Sequence, residues 1–399
     1  MKAVLTNPQH PEYGQVTVPL PIPYEEYDHC MKLLEPLEIG HATTRDCHID
    51  EVIDCYYVFD RLVGSSVNID ELDFLARSVD RYWANEGDKF EAMAYKLDIK
   101  DIESMINLSF CCEQVTIITD FENLAERGKE HYMDTHCGGA PVDVLEKLDG
   151  ATLIRDLIAT GSGTITPYGV VYENGFKLEQ SYQGRAFPTY YCTPSQVDVK
   201  AVLNGGNEET FLQLPMPRQR LERMLERGGI TADASTGFEI ASEGCKEPVM
   251  NVIENEFASL DWESLFRLNE FCEVIGELSN ADQKKLAAAV LYAEPEYSCQ
   301  IRQLAENLDL FDFIPDIKTP EDYGKYMIQQ SGHFDFDENL IGFYDYKGYG
   351  EQRIASESGT FNEMGYISYH GTLSIEELMM EEPSEQAPEQ AMGMQNPFM

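Results

Sequence analysis

The chain has 399 residues, 43% of them hydrophobic, and carries 29 Lys and Arg against 71 Asp and Glu, a formal net charge of −42. Its length allows two or three domains, its apolar content excludes a disordered acidic chain, and its charge disfavours direct binding to nucleic acid or an anionic membrane. Such a surface faces a basic partner, or else the solvent, as in halophilic adaptation.

In chain order, KAVL (residues 2 to 5) predicts a strand, and Leu-Pro-x-Pro at 20 to 23 leads into a short helix over PYEEYDHCMKLLE, with Pro23 at its first position. A weaker strand and loop follow. Leu72, Leu75, Val79 and Tyr82 then recur at a spacing of three, four and three, one apolar face of a helix. Phe90, Met93, Ala94 and Leu97 predict a second helix, and GTITPYGVVYENG (163 to 175) predicts a β-hairpin whose glycines supply turns and close backbone approach.

Those signals return. Gly163, Thr164, Gly169 and Gly175 recur 196 positions later as Gly359, Thr360, Gly365 and Gly371, and Gly128-Lys129 recurs as Gly324-Lys325. Leu268, Phe271, Ile275 and Leu278 repeat the first helix face, and Leu286, Ala289, Val290 and Ala293 the second. KAVL returns at 200 to 203 and Leu-Pro-x-Pro at 214 to 217, at offsets of 198 and 194. Glycines, prolines and helix faces in one register indicate a duplication, with copies at 1–195 and 196–372 meeting near 190 to 200. Residues 373–399 start helix-like and become an acidic Pro/Gln-rich tail, expected to fray. Both copies are acidic, with 15 basic and 33 acidic residues in 1–195 and 14 and 38 in 196–399.

A search for chemistry finds no constellation. His41, Asp46, Cys47, His48, Asp50 and Glu51 crowd one stretch, but their spacing fits no zinc pairing, so a polar loop is expected. His131, His136 and Cys137 could suggest a Cys-His nucleophile, but the second copy's YMIQQSGHF keeps one histidine and no cysteine, so loop decoration is expected. DFDENLIG (335 to 342) starts like a calcium loop yet has Leu340 where the glycine and Tyr346 where the glutamate should stand. No nucleotide-binding, nucleophile-elbow or zinc-protease motif is present. The ten cysteines form no CxxC pair, MKAVLTNPQH lacks a signal-peptide pattern, and no apolar run reaches membrane-spanning length, so the expectation is a reduced, cytoplasmic protein. No enzyme, metal or cofactor is expected.

What remains is acid in small groups, often beside aromatics: Glu25, Glu26 and Asp28; Asp70, Glu71 and Asp73; Asp120 and Glu122; Glu254 and Glu256; Asp312 and Asp316; Glu321 and Asp322; Asp335, Asp337, Glu338 and Asp345. Spread carboxylates have a physical analogue in a polyphosphate backbone. At one DNA charge per ~1.7 Å of axis, the net charge of −42 equals about 70 Å of duplex, or roughly 21 base pairs.

The end of the second copy, with Asn339-Leu340, Phe343, Tyr344, Asp345, Tyr346, Tyr349-Gly350, then Ser358-Gly359-Thr360-Phe361 and Gly365, resembles the C-terminal region of ArdA antirestriction proteins. Glu351-Gln352 stands where those proteins have Arg-Asp, whereas the first copy keeps Arg155-Asp156-Leu157 and lacks the Tyr-Gly. The resemblance implies an elongated α+β protein of serial small domains that lacks a catalytic site and imitates bent DNA. It implies inhibition of type I restriction-modification enzymes at their DNA-binding subunits, on behalf of a conjugative plasmid or transposon. ArdA-like units pair, so the two copies are expected to form an intramolecular pseudo-dimer, with a homodimer as a further option. Two other readings stay open: an acidic protein aimed at a different basic target, such as a CRISPR effector, nucleoid protein or relaxosome component, and an enzyme with an unfamiliar site near His41 to Glu51.

Overall fold

The computed structural model describes the chain except residues 55, 83–84, 137–138, 189–194, 204–208, 233–235, 244–246, 334 and 381–399. It is an α+β fold of small antiparallel sheets and helices, divided into two compact units. The first holds residues 1–193 and 199–238, the second residues 194–198 and 239–399.

The first unit opens with β1 (Lys2–Thr6), β2 (Gln15–Pro19) and α1 (Tyr27–Leu34), then β3 (Cys47–Ile53) and β4 (Ser66–Val67). Their sheet order is β2-β1-β3-β4. Pro23 lies just ahead of a short 3-10 turn, Tyr24–Glu26, that feeds α1. Three helices follow: α2 (Ile69–Asp80), α3 (Glu86–Lys96) and α4 (Ile102–Ser109). Leu72, Leu75 and Val79 of α2 and Phe90, Met93 and Ala94 of α3 are buried in one continuous core with the sheet, whereas Leu97, expected on that face, is exposed. Then come β5 (Val115–Ile118), α5 (Leu124–Asp134), α6 (Val142–Lys147), α7 (Gly150–Thr160) and the hairpin β6 (Thr164–Thr166) and β7 (Gly169–Glu173), with sheet order β5-β7-β6. A further set, β8 (Val197–Leu203), β9 (Glu209–Leu214), α8 (Arg218–Arg227) and β10 (Thr236–Glu243), has sheet order β10-β8-β9.

The second unit continues with α9 (Val249–Glu256), α10 (Trp262–Gly276), α11 (Asn280–Ala293), α12 (Ser298–Glu306) and β11 (Phe311–Pro315). After these come α13 (Pro320–Gln329), α14 (Tyr346–Glu357), the hairpin β12 (Thr360–Asn362) and β13 (Gly365–Tyr369), and α15 (Ile375–Met380). The sheet order β11-β13-β12 repeats β5-β7-β6. So does the register: Val115 faces Glu173 and Thr164 faces Val171, while Phe311 faces Tyr369 and Thr360 faces Ile367, every number moved by 196.

The glycine frame has a steric cause. Gly169 and Gly365 sit at φ +143° and +149°, and a Cβ there would lie 2.7 Å from the Ile118 carbonyl oxygen and 2.2 Å from that of Ile314. Only glycine lets the hairpin pass its neighbouring strand so closely.

Candidate partner-binding surface

Thirteen of the carboxylates singled out from the sequence are exposed: Glu25, Glu26, Asp120, Glu122, Glu254, Asp312, Asp316, Glu321, Asp322, Asp335, Asp337, Glu338 and Asp345. Local structure orients several of them. Asp120 accepts from the Glu122 backbone at 2.7 Å, Asp337 from Asn339 at 2.9 Å, and Asp345 caps α14 by accepting from Gly348 at 2.9 Å. Glu321 and Asp322 occupy the first turn of α13, where the helix dipole favours negative charge. A carboxylate used as a cap keeps acceptor lone pairs toward solvent, so capping and partner binding are compatible. Beside the acid at 335–345, Leu340 and Ile341 are half exposed and Phe343 is 85% exposed.

Asp28 and Glu256 are half-buried. Glu256 accepts from the backbone of Ser298, at the start of α12, and the Asp28 Oδ1 atom is buried without a hydrogen-bond partner among the described residues.

Asp70, Glu71 and Asp73, expected on an exposed acidic face, are instead 8%, 1% and 2% exposed. Arginines consume them. Arg223 of α8 holds Asp70 through Nε and Nη2, the latter at 2.7 Å, and donates to the Gly40 carbonyl. Arg45 grips Glu71 with two bonds of 2.9 Å and reaches Glu103 at 3.1 Å. Arg227 stands 3.8 Å from Glu71 and donates to Asn68 at 2.8 Å and to the Ala42 carbonyl at 2.7 Å. Asp73 pairs with Arg77 at 2.8 Å and accepts from the Ile22 backbone at 2.6 Å. Tyr27 donates to Asp70 and Tyr182 to Glu71, each at 2.8 Å.

Ionisable groups in this cluster are displaced as the geometry demands. Burial would lower the Arg223 guanidinium, but the facing Asp70 carboxylate outweighs it and raises it. Burial, reinforced by Asp70, pushes the Tyr27 hydroxyl well above the ordinary tyrosine range. A buried pair of this kind is satisfied only as a set, since removing one partner strands the other charge.

The arginines were the residues that sequence reasoning missed. The signal was RQRLERMLER (218 to 227), four arginines in ten residues of a chain with 29 basic residues in all. Arg220, Arg223 and Arg227 fall on one helical face at i, i+3 and i+7. Residues 199–238 hold five basic and five acidic residues, so this segment is neutral within an acidic chain.

The polar loop expected over His41 to Glu51 is loop only as far as Asp46: Cys47, His48, Asp50 and Glu51 lie on β3, paired with β1, and Cys47 is buried. Asp46 accepts from the Gly40 and His41 backbones, the Thr44 hydroxyl at 2.8 Å, and the His41 ring at 2.6 Å. Burial raises the Asp46 carboxyl, and these hydrogen bonds together lower it below its usual range. His131 shares a 2.7 Å hydrogen bond with Thr116, and burial depresses its pKa; Cys137 lies outside the described residues. Among the described residues no group of three or more His, Cys, Asp or Glu is placed to hold a metal ion, and no helix is long and apolar enough to cross a membrane.

Residues 202–368 match the model of a protein family, antirestriction protein ArdA. No curated protein matches the sequence.

Proposed function

We propose that this chain, whose residues 202–368 belong to the ArdA antirestriction family, is a non-enzymatic inhibitor of type I restriction-modification enzymes that occupies their DNA-binding channel. The family match carries this reading, and the exposed carboxylates supply its physics. A carboxylate offers Arg and Lys two acceptor oxygens much as a phosphate does, and Arg takes both bidentately. The imitating surface comprises the fifteen carboxylates left after Asp70, Glu71 and Asp73 are set aside. Its beneficiary is mobile DNA, such as a conjugative transposon, entering a restricting host.

We also propose that the chain is two ArdA-like copies, 1–195 and 196–372, from a duplication. The common 196-residue offset of strands, helices and strand register supports this.

The test is a type I restriction assay with purified protein, salt and competing DNA varied. Inhibition should weaken steeply with salt, as any binding made of many Lys and Arg contacts does. Changing Asp312, Asp316, Glu321, Asp322, Asp335 and Asp337 together to amides should abolish inhibition, while each single Asp→Asn change has little effect. No inhibition across several type I enzymes, or inhibition insensitive to both salt and DNA, defeats the proposal.

A further inference from the structure

We propose that a cavity of about 260 Å³ in the first unit, with Leu20, Asp54, Tyr56, Phe59, Val79 and Asp80 among its walls, is a socket for an arginine side chain of a basic protein partner. Its size falls below the roughly 300–1,000 Å³ of cofactor and drug sites and suits a single side chain. Leu20, Phe59 and Val79 are at most 2% exposed and form an apolar floor, which the methylene stem of a long basic residue can cover. Asp54 and Asp80 are exposed, and neither carboxylate has a hydrogen-bond or ion-pair partner among the described residues. The ring of Tyr56 stands beside them, 43% exposed and backed by Gly87, where a Cβ would come within 2.8 Å of the ring. Among the described residues of the wall the one cation is the Met1 ammonium, which donates to the Leu20 carbonyl at 2.9 Å.

The first unit itself shows what such a combination binds. Arg61 lies 5.5 Å over the Tyr95 ring and 3.6 Å from Asp98. Arg220 lies 5.9 Å over Tyr27 and 3.9 Å from Asp73. Arg227 lies 4.5 Å over Phe187 and 3.8 Å from Glu71. In each case a guanidinium lies within 4 Å of a carboxylate oxygen and within 6 Å of the centre of an aromatic ring. The cavity repeats the pair, with Asp54 and Asp80 as the carboxylates and Tyr56 as the ring, and none of the described side chains that line it is basic. A planar guanidinium fits both elements at once, whereas an ammonium satisfies only the charge.

The biological sense of the socket rests on the reading that the partner is a basic protein surface; its chemistry is testable without that partner. N-acetyl-arginine methylamide, the matching lysine derivative and the uncharged citrulline derivative are titrated into the full chain and followed by NMR. The arginine probe should shift signals of Tyr56, Val79 and Asp80 at millimolar concentration. The lysine probe should bind more weakly, and the citrulline probe about tenfold more weakly or not at all. The double variant Asp54→Asn/Asp80→Asn should melt as the parent does and lose the response, and Tyr56→Leu should weaken it. No shifts with the arginine probe, equal binding of lysine or citrulline, or full binding by the double variant overturns the proposal. In the restriction assay the double variant should inhibit less than the parent. A parent that binds arginine but inhibits no type I enzyme leaves the socket standing and removes the antirestriction reading.

Discussion

α2 and α10 occupy the same place in the repeating register and are used in opposite ways. At Asp70, Glu71 and Asp73 α2 buries three carboxylates; 196 positions on, α10 has Phe266, Arg267 and Asn269, of which Phe266 and Asn269 are buried and Arg267 is exposed. α8 diverges in the complementary sense. Arg220, Arg223 and Arg227 stand where the Leu-Pro register, 194 positions earlier, has Glu26, His29 and Leu33. The same backbone plan therefore carries an ionic joint on one side only. Acid in this chain divides into a part that faces solvent and a part that holds the first unit together, and composition alone does not separate them.

Breaking the joint from one side should have the largest effect. Arg223→Met leaves Asp70 buried with Tyr27 as its remaining side-chain partner, and stranding a buried charge costs about 3–5 kcal/mol. The expected outcome is a lower denaturation midpoint for the first unit. The double change Asp70→Leu/Arg223→Met should recover most of the loss, because a matched apolar pair needs no compensation. If the single and double variants lose equal stability, the joint is packing and not charge.

Next in size is a change that should treat the two units alike. The helices α5 and α7, and likewise α13 and α14, cross at glycines. A Cβ on Gly150 would lie 2.1 Å from the Ala125 carbonyl oxygen, and one on Gly350 would lie 1.8 Å from that of Pro320. Gly150→Ala and Gly350→Ala should each destabilise their own unit by roughly 1–3 kcal/mol, the range for overpacking a tight contact. Chemical denaturation of both variants checks whether the two crossings are equally intolerant.

A smaller effect separates the two units again. Tyr366 and Tyr323 both donate to Glu357, at 2.7 and 2.6 Å, and the positions 196 residues earlier for Tyr366, Tyr323 and Glu357 are Val170, Arg127 and Gly161. Burial, with the Glu357 hydrogen bond adding to it, raises the Tyr366 hydroxyl from 10.0 to about 12. A group whose folded value is raised stabilises fully below its unfolded value and loses that contribution as pH climbs through the folded one. Stability of the second unit should therefore fall between pH 10 and about 12. Tyr366→Phe should cost about 1.5–3 kcal/mol at neutral pH, the worth of a hydrogen bond to a charged group, and flatten that alkaline slope. Melting curves across alkaline pH decide it.

Much of the fold was legible because its signals are local. A spacing of three and four marked the buried faces of α2, α3, α10 and α11, and glycine at 169 and 365 marked hairpins that need a backbone other residues resist. The α+β class came from the ArdA resemblance, and these elements agree with it. The candidate surface was legible only in part. Asp312 and Glu321 are exposed as their polar surroundings suggest, but the fate of Asp70 depends on Arg223, 153 residues away. No window of sequence contains both partners, and an unpaired acidic triplet reads as a solvated face. Of the junction near 190 to 200, the residues up to 194 lie outside the described residues, as does the tail from 381.

The smallest expected effect is the sharpest control on the comparison. Arg267 stands at the position of Glu71, yet it is exposed and Glu71 is 1% exposed. An exposed arginine keeps its hydration, so whatever partner it meets is screened, and surface ion pairs contribute ~0–1 kcal/mol. Arg267→Met should accordingly change stability by no more than about 0.5 kcal/mol, the scale of surface substitutions. Glu71→Met, by contrast, removes the acceptor for Arg45 and Tyr182 and the charge beside Arg227, and should unfold the first unit at far lower denaturant. Equal effects at 71 and 267 would mean that the register, and not the buried arginine network, sets the importance of this helical position.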